Sequence, residues 1–89
     1  MINTQELDKI LKQIREILIK KNKDYGDTNI LELGEKGIAY RISDKKIRLL
    51  NLLETNKKPE NESIEDTYLD LAGYSILGLM LRRNKFQKK

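Results

Sequence analysis

The chain has 89 residues, a formal net charge of +4, one proline, five glycines, and neither cysteine nor histidine. That length holds one domain, and it excludes disulfides, thiolate chemistry, imidazole bases, Ser-His-Asp triads and ordinary zinc sites. Any general base is a carboxylate, lysine, tyrosine or water, and any metal a hard cation held by oxygen.

The first helix is written in Leu7, Ile10, Leu11, Ile14, Ile17 and Leu18, which recur at three- and four-residue steps as one apolar stripe. Asn3, with Glu6 three positions later, has the spacing of a capping box, and Gly26 is the expected stop. From Asp27 to Gly37 the chain reads as a loop with a short helix around Ile30 to Glu35, capped at Asn29. A second long helix is expected from Ile38 to Leu53, then a polar turn from Thr55 to Asn61 containing Pro59. Ser63, with Asp66 three residues on, opens a last helix running to about Arg83. No segment alternates as a strand would. The reading is all-α: a small antiparallel bundle over 1–83, followed by a basic flexible tail at 84–89. A domain this short buries only about 60–65% of its unfolded surface, so self-association is expected to cover the remainder.

Charge and targeting signals are quickly read. Five basic residues lie in the last eight positions, so the body is nearly neutral and weighs against a nucleic-acid partner. The N-terminus lacks the pattern of a signal peptide, and no apolar run is long enough to span a bilayer, so a cytoplasmic protein without membrane contact is expected.

Three clusters break the apolar rule. From Thr67 to Leu81 the only charged side chain is Asp70, one helical turn from Asp66, while Glu65 points elsewhere. A carboxylate in so apolar a helix needs a cation or a metal. Arg41, Lys45 and Arg48 form a basic stripe at the margin of the middle helix, suited to phosphate. Lys20, Lys23, Asp24, Tyr25 and Gly26 end the first helix where an aromatic and an acid could hold a base or ribose. Each cluster also has a plain structural reading: first-turn acids, solvated cations covering the core edge, and a simple helix end. Neither the Walker pattern nor GxGxxG is present, against P-loop and Rossmann chemistry.

The segments Lys21-Asn22-Lys23-Asp24-Tyr25-Gly26-Asp27, Gly37 to Lys45, Asn61 to Thr67 and Asp70 to Tyr74 resemble the nucleotide-modification-associated domain family of phages and bacteria. That family looks like a compact relative of the MazG-like all-α nucleotide pyrophosphatases. The resemblance implies a homo-oligomer, dimer or tetramer, binding a nucleotide or nucleotide-derived small molecule, with Mg2+ if catalytic. Carried over by position, Glu65, Asp66 and Asp70 become catalytic and metal-side acids. Lys23, Asp24, Tyr25, Arg41, Lys45, Arg48 and Tyr74 become ligand-binding residues. The MazG pattern of paired acids on two helices is incomplete, because Ile19 stands three residues after Glu16 where an acid is wanted. Two functions are therefore carried forward: Mg2+-dependent pyrophosphohydrolysis of a nucleoside triphosphate or modified nucleotide, and non-catalytic sequestration of a cyclic or signalling nucleotide by a phage protein countering host defence.

Overall fold

A computed structural model describes residues 1–55 and 61–87. Three helices account for most of them: α1 (Thr4–Tyr25), α2 (Thr28–Glu54) and α3 (Asn61–Arg82). No strand occurs among the described residues, so the all-α reading holds. Residues 56–60 of the turn with Pro59, the side chains of Asn61 and Glu62, and Lys88 and Lys89 lie outside what is described.

The helix ends follow their local chemistry. Asn3 caps α1, its side-chain oxygen accepting the Glu6 amide at 3.1 Å. Gly26 stops it at φ 74°, a backbone region that glycine enters without strain. The expected short helix and second long helix are one element with a break at Gly34 (φ 64°, ψ 179°), where the ladder is interrupted and resumes. Its start is Asp27 rather than Asn29. The Asp27 carboxylate does not cap the helix, because Asn22 and Gln87 donate hydrogen bonds to it at 2.8 and 3.0 Å. α3 begins at Asn61, two residues before the expected cap Ser63.

Beyond Arg82 the chain closes in a Schellman turn. Asn84 takes φ 53°, its amide bonds to the Leu81 carbonyl, and the Lys85 amide to that of Met80. These contacts fall within residues 84–87 of the segment expected as a flexible tail. Phe86 folds against the helices and Gln87 reaches Asp27.

α3 is the central helix. Leu18 of α1 lies beside Gly73 and Lys21 beside Asp70, so α1 and α3 run antiparallel. Ile38 of α2 lies beside Gly78 and Glu35 pairs with Arg82, so α2 and α3 also run antiparallel. Each of these two glycines faces a neighbouring helix. A Cβ at Gly73 would stand 3.3 Å from the Leu18 side chain, and one at Gly78 would stand 3.4 Å from that of Ile38.

The core is small. Ile14 and Ile38 are its buried aliphatic side chains, joined by Thr67, whose hydroxyl donates to the Ser63 carbonyl at 2.7 Å. Much of the α1 stripe (Leu7, Ile10, Leu11) stays exposed, as do Tyr40, Ile47 and Leu50 on α2 and Tyr68 and Leu79 on α3. No described helix is long and apolar enough to cross a membrane.

Candidate functional site

α2 and α3 pack closely while α1 touches α3 over a shorter stretch, and a cavity of about 330 Å³ opens where α1 ends. Its inner wall is aliphatic, made by Ile14, Ile17, Leu18, Leu33, Leu69 and Leu77. Gly73 forms part of the same wall, where any side chain would fill the space. Polar groups line the cavity as well. Lys21 and Asn22 come from α1, Arg41 from α2, and Asp70 from α3. Tyr25, Tyr74 and Phe86 add aromatic faces.

Asp70 organises the charged end. One carboxylate oxygen lies 3.0 Å from the Lys45 ammonium and the other 3.5 Å from that of Lys21. Its side chain is 26% exposed and that of Lys45 is 30%, so the group is half-buried and partly shielded from salt. Arg41 lines the same cavity one helical turn from Lys45, so three cations and one anion stand at or beside it. That surplus at the mouth of an apolar cavity favours an anionic ligand with an apolar body.

The positions singled out in the sequence separate clearly. Tyr25, Arg41, Asp70 and Tyr74 line the cavity, and Lys45 joins them through Asp70. Lys23, Asp24 and Arg48 are exposed and do not line it. Glu65 and Asp66 are also exposed and off the cavity. Among the described residues no three acidic side chains lie close enough together to hold a metal ion. One chain therefore does not present a fit for magnesium at Glu65, Asp66 and Asp70: the first two face solvent and the third is held between two lysines.

Lys21 and Asn22 were not among the expected site residues, yet both line the cavity. Lys21 extends the spacing of Ile14, Ile17 and Leu18 by another turn, so it continues the apolar stripe onto the packed face. That position was the available signal.

The family model described as nucleotide modification associated domain 1 matches residues 21–81. The chain belongs to this family. The matched span contains Lys21, Arg41, Lys45, Asp70 and Tyr74, and so the whole charged end of the cavity. Ile14, Ile17 and Leu18 on one side, and Phe86 on the other, lie outside it. No curated protein and no solved structure matches the chain. In the nucleotide modification associated domain 1 chain, then, the charges fall within the family's span while part of the apolar wall is built from segments flanking it.

Proposed function

We propose that this chain binds a nucleotide in the cavity between the end of α1 and the middle of α3. The observation that carries the reading is the cluster Lys21–Asp70–Lys45, with Arg41, at the mouth of an otherwise apolar space. Phosphate oxygens accept from the two ammonium groups and the Arg41 guanidinium, which offers two parallel donors. The base and sugar lie along the aliphatic wall, with Tyr25, Tyr74 or Phe86 available for stacking. Asp70 holds the lysines at the mouth and shares them with the incoming phosphate. The family's description, which concerns nucleotide modification, agrees with this ligand class.

Binding without hydrolysis is the version the geometry favours. Pyrophosphohydrolysis of the MazG kind needs acids grouped around magnesium, and one chain does not group them among its described residues. Capture of a nucleotide needs only the cations and the wall. Sequestration of a signalling or cyclic nucleotide by a phage protein is one use such a module would serve.

The test is calorimetry at low salt with a panel of linear and cyclic nucleotides, with and without magnesium. Each nucleotide is then recovered after prolonged incubation with the protein. Saturable heat and intact nucleotide support capture. Pyrophosphate release would move the reading to hydrolysis, and silence across the whole panel would remove it.

A further inference from the structure

We infer, resting on the nucleotide reading of this cavity, that the residues after α3 form a strap holding Phe86 in the cavity wall as the stacking face for the base. Gln87, Asp27 and Asn22 are the latch that positions it.

The strap pivots on the turn that ends α3. Asn84 takes φ 53°, and the amides of Arg83, Asn84 and Lys85 bond back to the carbonyls of Leu79, Leu81 and Met80. Past that pivot the helix has no hold on the chain: among the described residues, neither Phe86 nor Gln87 makes a backbone–backbone hydrogen bond. Two side chains attach the strap instead. Phe86 is half-buried and lines the cavity, and the Gln87 amide donates to Asp27 at 3.0 Å. The other oxygen of Asp27 accepts from Asn22, itself a cavity residue, at 2.8 Å. One carboxylate at the start of α2 thus ties the strap to the last turn of α1. Both bonds are exposed, so water replaces them at little cost and the strap can lift without unfolding a helix.

Phe86 is placed as a contact residue and not as core filling. Side chains that fill a core are packed against neighbours without voids. Phe86 borders two open spaces: the cavity of about 330 Å³, and a smaller one of about 70 Å³ lined also by Leu31, Leu81, Asn84 and Gln87. Its ring therefore has room to tilt onto a flat ligand. The other aromatic residues of the cavity suit a base less well. Tyr25 is 74% exposed. Tyr74 stands one helical turn from Asp70, and so beside the charged cluster. Phe86 has no hydroxyl to solvate and comes from a segment that can adjust to what it covers. The strap also lies past residue 81, where the family match ends, so it adds an apolar face to the charges that the match contains.

The chain has no tryptophan, so Phe86→Trp puts a single indole reporter in the strap. Its emission should lie to the blue of the unfolded chain's, move to the red when Gln87→Ala is added, and be quenched as AMP, ATP or cyclic AMP binds at low salt. In calorimetry Phe86→Ala should weaken the nucleotide that binds by about tenfold, while Phe86→Trp keeps the affinity. Gln87→Ala should speed its dissociation by about fivefold in stopped flow, with the circular dichroism unchanged. A wild type that binds none of the three nucleotides would remove the nucleotide reading, and the base contact with it. Binding that leaves the indole unmoved and ignores Phe86→Ala would overturn the strap alone. A solvent-like emission before any ligand is added, or one indifferent to Gln87→Ala, would do the same.

Discussion

Asp70→Asn separates the structural duty of this acid from any direct role in holding ligand. The change keeps size and shape but removes the anion between Lys45 at 3.0 Å and Lys21 at 3.5 Å. A single contact at that distance is worth about 5 kcal/mol in gross Coulomb energy at an effective dielectric near 20. Most of that is offset by desolvation and by the ordering of two long side chains. Exposed pairs return about 0.2–1 kcal/mol, while removing one partner of a fully buried pair costs about 3–5 kcal/mol. With side chains 26–30% exposed at the closer contact, the variant should lie between these limits, at about 1–2 kcal/mol of lost stability. For a domain of this size that lowers Tm by roughly 4–16 °C. Two lysines left facing each other without a counterion would also take a phosphate more readily, so metal-free nucleotide should bind more tightly. Thermal melts beside calorimetry read both effects. An unchanged Tm, or a Tm loss accompanied by loss of metal-free nucleotide binding, would refute the reasoning.

Other perturbations act on separate parts of the account. Gly73→Val should push into Leu18 and fill the cavity wall, abolishing nucleotide binding in calorimetry while circular dichroism still reports three helices. Ile38→Ala removes a side chain only 1% exposed and should cost about 2–5 kcal/mol in chemical denaturation. Gly34→Ala forces an L-residue into φ 64°, ψ 179°, which should cost about 1–3 kcal/mol and shorten or split α2. Hydrogen bonds from Asn22, and then from Gln87, hold the Asp27 carboxyl below its ordinary 3.8, with slight burial acting the other way. A depressed folded value stabilises above the unfolded one and is lost as pH falls through the folded one. Docking of Gln87 on Asp27 should therefore persist at pH 5 and be released only below about 3.8, as followed by NMR titration of the two side chains.

The helices were legible because their signals are local. Asn3 marks one end of α1 and Gly26 the other, and the structure uses both, although the Glu6 side chain does not return a bond to Asn3. Gly34 was harder to read. A short helix and a long one were visible on either side of it, but that the ladder resumes across a positive-φ glycine depends on packing and not on periodicity. Asp70 stood out as the lone charge on an apolar helix, and the structure places it at the charged end of the cavity. Its partners did not stand out equally. Lys45 was visible at the edge of the α2 stripe, whereas Lys21 lay hidden among neighbouring lysines although it continues the α1 stripe. Glu65 and Asp66 show the limit of a helical wheel. It reports direction around an axis but not what stands in that direction, and both side chains are exposed and off the cavity. The contacts made after Arg82 were not legible in the sequence, because they rest on Asn84 adopting positive φ and on Gln87 meeting Asp27, sixty positions away.

The most direct test of the ligand account is an NMR titration of the isotopically labelled chain with unlabelled nucleotide, at low salt and without metal. Resonances of Lys21, Arg41, Lys45, Asp70 and Tyr74 should shift together and saturate, while those of Lys23, Arg48, Glu65 and Asp66 stay put. Shifts centred on Glu65 and Asp66, or a spectrum unmoved at millimolar nucleotide, would contradict it.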